Sequence, residues 1–108
     1  MESSEETSPI TVRVDETLRD LVPHYLENRH HDVEKLKEAL QAGNFEAIRV
    51  LGHSMAGSGG GYGFSRLTQI GRELEHAGEK RDRERVERGL SDLESYLQRI
   101  VVEYTPAT

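Results

Sequence analysis

The 108-residue sequence contains no cysteine and no tryptophan. Without thiols there is no disulfide framework, no thiolate zinc site, no iron–sulfur cluster and no cysteine nucleophile. Aromatic bulk is scarce, with two Phe and four Tyr. Long apolar runs are missing as well. None approaches the roughly 20 residues that span a bilayer, and the acidic, polar start Met1–Pro9 is unlike a signal peptide. These absences predict a soluble, cytoplasmic chain. Positive charge is also the minority, since 14 Lys and Arg against 20 Asp and Glu leave a net charge of −6. Nucleic acids and anionic membranes repel a chain of that sign, so neither is expected as a partner.

The size fits one domain. Hydrophobic residues make up only 34% of the chain, which favours amphipathic helices, each contributing one apolar stripe to a shared core. Residues 1–14 are expected to be a disordered or extended N-terminal arm. Met1–Ser8 is rich in Ser, Glu and Thr, and Ile10–Val14 alternates apolar and polar residues. Asp15 can cap a short helix over Thr17–Leu21. Pro23 suits the first turn of the next helix, whose stripe of Val22, Leu26, Val33, Leu36 and Leu40 runs to a stop at Gly43. Asn44 can cap a helix with Phe45, Ile48, Gly52, Met55 and Gly59 inward, ended by Gly59–Gly63. Ser65 can cap a third with Leu67, Ile70, Leu74 and Ala77 inward. After a turn at Gly78–Asp82, the stripe Val86, Leu90, Leu93, Leu97, Ile100 and Tyr104 predicts a last helix reaching Tyr104. Gly89 within it marks close packing, and residues 105–108 read as a tail. No strand pair is visible. The expected fold is all-α: an antiparallel up-down four-helix bundle over residues 15–104 with a short extra N-terminal helix.

Ten glycines are present, and six of them fall between Gly52 and Gly63. On a helix, His53 sits at the rim of the buried stripe, with Ala56 and Gly57 one turn later and Gly60 beyond. Such small neighbours leave an imidazole standing above a low surface. Glycine destabilises a helix, so close approach of a partner is a reason for its presence. A neutral imidazole is a nucleophile near neutral pH, provided that one ring nitrogen holds the proton and the other attacks.

These residues resemble the histidine-containing phosphotransfer (HPt) domain of bacterial multistep signalling, and the related phosphorylated domain of chemotaxis kinases. The family motif is a His, a Lys three later, a Gly four later and a second Gly ten later, followed by a Leu-rich helix carrying an acidic residue or Gln. His53, Gly57 and Gly63 match it, as do the Gly-Tyr-Gly-Phe64 turn, Leu67 and Leu74-Glu75. The resemblance covers about residues 16–104. It implies that His53 accepts a phosphoryl group from a receiver aspartate or a kinase and passes it on, with Glu75 orienting the imidazole. It also implies a phosphocarrier without kinase activity, working as a partner of response-regulator receiver domains or sensor histidine kinases. No cofactor is expected on this chain, the receiver supplying Mg²⁺. The family's Lys position is Ala56 here, so Arg49, one turn before His53, and Arg72, on the next helix, are the candidates for charge compensation. The docking surface is expected to centre on His53, Ala56, Gly57 and Gly60 of a monomer. The alternative is an adaptor of the same fold that docks a receiver or kinase without carrying phosphate.

Other polar features carry less. His30, His31 and Glu34 do not make a metal site, because adjacent helical residues point about 100° apart. His24 and His76 read as surface residues. The Gly59–Gly61 run lacks the Gly-Lys-Ser/Thr ending and the preceding strand of a nucleotide loop. Lys80–Arg85 interleaves bases with acids, as a solvated turn does. Tyr62 and Phe64 are expected to lock the glycine-rich turn onto the bundle.

Overall fold

The computed structural model describes residues 8–107. Four helices dominate them: α1 over Val22–Ala42, α2 over Phe45–Gly59, α3 over Ser65–Glu79 and α4 over Arg83–Arg99. Residues 1–7, and with them most of the segment expected to be disordered, lie outside the described residues.

Local chemistry accounts for most boundaries. Pro23 stands in the first turn of α1, where a missing N–H is tolerated. Gly43 ends that helix at φ 67°, a left-handed conformation in which a Cβ would be strained. The Asn44 side chain accepts from the Ala47 amide at the start of α2, and Asp82 does the same for Arg85 at the start of α4. Ser65 is the first residue of α3 rather than its cap. The cap position belongs to Phe64, which offers no side-chain acceptor, and its ring is fully buried instead. The expected short N-terminal helix is a single 3-10 turn over Glu16–Leu18, with Asp15 accepting from the Thr17 amide.

The chain end differs from expectation. Helix α4 stops at Arg99, and Ile100–Thr105 forms a strand, β2, paired in parallel with β1 over Ile10–Asp15. The register runs from Ile10 opposite Ile100 to Asp15 opposite Thr105. A separation of four residues fits one face of a helix and equally one face of a strand, so Ile100 and Tyr104 satisfy either period. Val102 settles the matter, because Ile100, Val102 and Tyr104 pack against the core while Val101 and Glu103 are exposed. The β-branched run Ile100-Val-Val102 also favours extended backbone. A lone run at the N-terminus could not form a sheet, and it takes its partner from the other end of the chain. Thr105, assigned to the tail by its sequence, donates from its hydroxyl to the Val14 carbonyl.

The core is filled from every helix. Leu36, Ile48, Met55, Phe64, Leu67, Ile70, Leu74, Val86 and Leu93 are completely or almost completely sealed from solvent. Each buried aliphatic or aromatic side chain of this kind contributes about 1.5–3 kcal/mol. Leu26 and Phe45 are only partly buried. Helices α2 and α3 run in opposite directions at very close range. Gly52 faces Gly71 and Glu75, Gly71 faces Ala56, Gly78 faces Arg49, and Gly59 faces Thr68. Arg83 at the start of α4 donates to the Leu40 carbonyl near the end of α1, while Lys37, one turn earlier in α1, pairs with Glu94, three turns later in α4. Gly89 gives way to the Leu74 side chain, the close packing its place in α4 suggests.

Candidate functional site

His53 lies in the middle of α2, immediately after Gly52, which is buried against α3. The helical turn therefore carries the imidazole to the edge of the α2–α3 seam and outward. Its side chain is 74% exposed. Glu75 reaches it from α3, with His53 Nδ1 3.0 Å from Glu75 Oε2. A carboxylate only accepts, so the Nδ1 nitrogen holds the proton in this pair. In the neutral ring the lone pair is then on Nε2, which has no hydrogen-bond partner among the described residues. One nitrogen is anchored and the other is presented to solvent.

The surroundings of the ring are low. Gly57, one turn later, has nothing within 4 Å of the place a Cβ would occupy, and Gly61 is equally open. Gly60 has only the Thr68 hydroxyl near that place, at ordinary contact distance. Ala56 is partly buried, with its backbone against Gly71. Val50, one turn before His53, is 50% exposed, an apolar side chain left open on the same stretch of helix. Its position three residues before His53 puts it on the same face of α2, a signal readable from spacing.

The two candidate cations behave differently. Arg49 is held by Glu46, with Nε and Nη2 donating to the two carboxylate oxygens at 3.0 and 2.7 Å. The hydrogen bond to Arg49 holds the Glu46 carboxyl below the usual range. That bond, then the charge of Glu46, raises the Arg49 guanidinium further, with Glu75 and Glu79 acting in the same direction. Arg49 thus lies within electrostatic range of the carboxylate that holds His53 but does not touch the imidazole. Arg72 is exposed on α3, and no ion pair or hydrogen bond joins it to other described residues.

Below the open glycines, the end of α2 is tied to α1 by a polar network absent from the sequence reading. Ser58 hydrogen-bonds with the Tyr25 hydroxyl at 3.1 Å and accepts from Arg29 Nη1 at 3.0 Å. Arg29 Nε sits 2.9 Å from Asp32 Oδ2 as an ion pair without hydrogen-bond alignment. Burial raises the Asp32 carboxyl, and the Arg29 charge opposes that rise. The Tyr25 ring stacks on Tyr62 with centroids 4.1 Å apart and on Phe64 at 5.8 Å. Tyr62 and Phe64 do lock the glycine-rich turn, and Tyr25 is the surface they lock onto. Its place three residues after Val22, on the same face of α1, was the available clue.

Elsewhere the histidines are dispersed. His24 and Glu27 approach to 3.9 Å on the exposed face of α1, and His76 is exposed on α3. Among the described residues, no group of three or more His, Asp or Glu side chains could hold a metal ion. No helix among them is long and apolar enough to cross a membrane.

No curated protein and no solved structure gives a significant match to the chain. The family model of the Hpt domain matches residues 20–102, which takes in all four helices and both members of the His53–Glu75 pair. Hpt domains are phosphocarrier modules, not kinases, and they take part in phosphorelays with receiver domains and histidine kinases. A match spanning the helical body of the protein makes the chain a member of the Hpt domain family.

Proposed function

We propose that this protein is a histidine phosphocarrier that relays a phosphoryl group to or from a receiver aspartate through His53, presented by an antiparallel up-down four-helix bundle. One observation carries the reading: His53 Nδ1 is bonded to Glu75 while the ring stands 74% exposed. That arrangement suits nucleophilic attack by Nε2 on a phosphorus atom carried by another protein.

The Nε2 lone pair attacks the phosphorus of an aspartyl phosphate, and an N–P bond forms. The acyl P–O bond breaks, and its electron pair returns to the aspartate as carboxylate. The Nδ1 proton stays on the ring, which becomes cationic, and the Glu75 carboxylate faces that charge. The reverse sequence returns the group to a receiver. Mg²⁺ is supplied by the receiver. Ala56, Gly57 and Gly60, with Val50 beside them, form the docking surface, small and partly apolar as a transient contact requires. Arg49 and Arg72 offset phosphoryl charge, Arg49 by exchanging Glu46 for the incoming oxygens. The carrier acts as a monomer in the cytoplasm.

The test is incubation with a receiver domain carrying ³²P on its aspartate. Acid-labile, base-stable label should appear on this chain and be missing from His53→Gln. Label that persists on His53→Gln would overturn the assignment. A second reading, an adaptor that docks a receiver without carrying phosphate, draws on Ala56 at the family's Lys position and on the engagement of Arg49 by Glu46. Receiver binding that survives His53→Ala, with no label on the native chain, would select it.

A further inference from the structure

We propose that Gly52 and Gly71 are positioning residues for His53, setting the α2–α3 spacing at which Glu75 reaches Nδ1. The proposal rests on the phosphocarrier reading only for its effect on transfer rate. A Cβ on Gly52 would fall on the Glu75 amide nitrogen and lie 2.6 Å from the Gly71 carbonyl oxygen. A Cβ on Gly71 would lie 2.5 Å from the Ala56 amide nitrogen and 2.7 Å from the Gly52 carbonyl oxygen. All four obstacles are backbone atoms, which cannot rotate away as a side chain can. A methyl group at either position therefore has to push the helices apart.

The consequence for the site follows from the same distances. Moving even the 2.6 Å contact to the 3.4 Å of ordinary contact requires at least 0.8 Å of separation. Carried along the 3.0 Å His53–Glu75 bond, that separation gives 3.8 Å, outside hydrogen-bond reach. The displaced residue at Gly52 is Glu75 itself, and the displaced turn at Gly71 lies between Gly52 and Ala56, which flank His53. Glu75 makes no other hydrogen bond among the described residues, so none other holds its carboxylate on the ring when the helices part. Once parted, a ring 74% exposed exchanges the carboxylate for water. Each glycine gives up helix propensity relative to alanine, and the spacing is what that loss secures.

The experiment is side-chain ¹⁵N NMR of His53 in the full unphosphorylated chain, with Gly59→Ala as the control. Gly59 is also tight against α3, 2.9 Å from the Phe64 carbonyl oxygen at the place of its Cβ, but stands two turns from Gly52. The native chain and Gly59→Ala should show the Nδ1–H form of His53, while Gly52→Ala and Gly71→Ala should lose it. Phosphorylation of His53 by phosphoramidate should fall by on the order of 10²-fold in the latter two, the effect of an ångström of misplacement. Retention of the Nδ1–H form in Gly52→Ala and Gly71→Ala would overturn the proposal. Should both variants fail to fold, Glu75→Asp tests the same spacing on an intact seam. Shortening the carboxylate arm by one methylene should abolish the Nδ1–H form, and its survival would overturn the proposal equally. An Nδ1–H form that responds to these variants on a chain that no donor phosphorylates would sustain the positioning role and remove the phosphocarrier reading.

Discussion

Gly52 and Gly57 stand on the same helix five residues apart and meet opposite surroundings. A side chain at 52 would collide with the backbone of α3, whereas one at 57 would meet nothing within 4 Å. Gly59 repeats the first case, while Gly60 and Gly61 resemble the second. Glycine on the inner side of α2 lets two helices touch. On the outer side it leaves the space beside His53 open, the face proposed for docking. His53 lies at the border between the two sides, so the packed one fixes its orientation and the open one its access.

The largest effect should come from filling the packed side. Gly52→Val should destabilise the fold by about 3 kcal/mol through overpacking, read as a lower urea midpoint. A midpoint equal to the native one would show that the helices are not in contact there. Filling the open side should have the reverse sign. Gly57→Ala should stabilise the chain by about 1 kcal/mol, because it removes the helix penalty of glycine without a clash. It should also slow transfer from a phosphorylated receiver while leaving phosphorylation by the small donor phosphoramidate unchanged. Equal slowing with both donors would contradict the role assigned to the open side.

The packed interior should also register in alkaline pH. Burial pushes the Tyr96 phenol from 10.0 up to about 12, so the folded protein holds this proton more tightly than the unfolded chain does. The resulting stabilisation is fully present below pH 10.0 and is lost as the pH rises toward about 12. Tyr96→Phe should therefore flatten the fall of Tm across that window. An unchanged slope would place the phenol in water. The smallest effect is expected on the solvent side, from Glu46→Gln. Freeing Arg49 should leave stability unchanged within error, since exposed ion pairs contribute little. It should raise the yield of phosphohistidine. A lower yield would assign Arg49 no part in offsetting phosphoryl charge.

Much of this organisation is legible from residue spacing. The apolar stripes of α2, α3 and the first four turns of α4 lie where a period of 3.6 puts them, and Asn44, Gly43 and Asp82 end or begin helices by their ordinary chemistry. The strand pair is not legible, because Ile10–Val14 and Ile100–Tyr104 are each too short to announce a sheet. They are also separated by the entire bundle, and a spacing of four residues does not distinguish strand from helix. At the site, His53 and Glu75 come together as the family motif implies. The division of the glycines is legible too, since a period of 3.6 puts Gly52 and Gly59 inward and Gly57 and Gly60 beside His53; what spacing does not show is that Gly52 meets the backbone of α3. The engagement of Arg49 by Glu46 is hidden for another reason. An i, i+3 pair was available by spacing, but the same arginine also stood one turn from His53, and spacing alone does not choose between them.

The central claim is that Glu75 anchors one nitrogen of His53 and leaves the other to receive phosphate. Phosphorylation with phosphoramidate, followed by ³¹P NMR and mass-spectrometric mapping of the full chain, tests it without a partner protein. A single phosphoryl group on Nε2 of His53 is expected. A phosphoryl group on Nδ1, or one spread over His24, His30, His31 and His76, would contradict it.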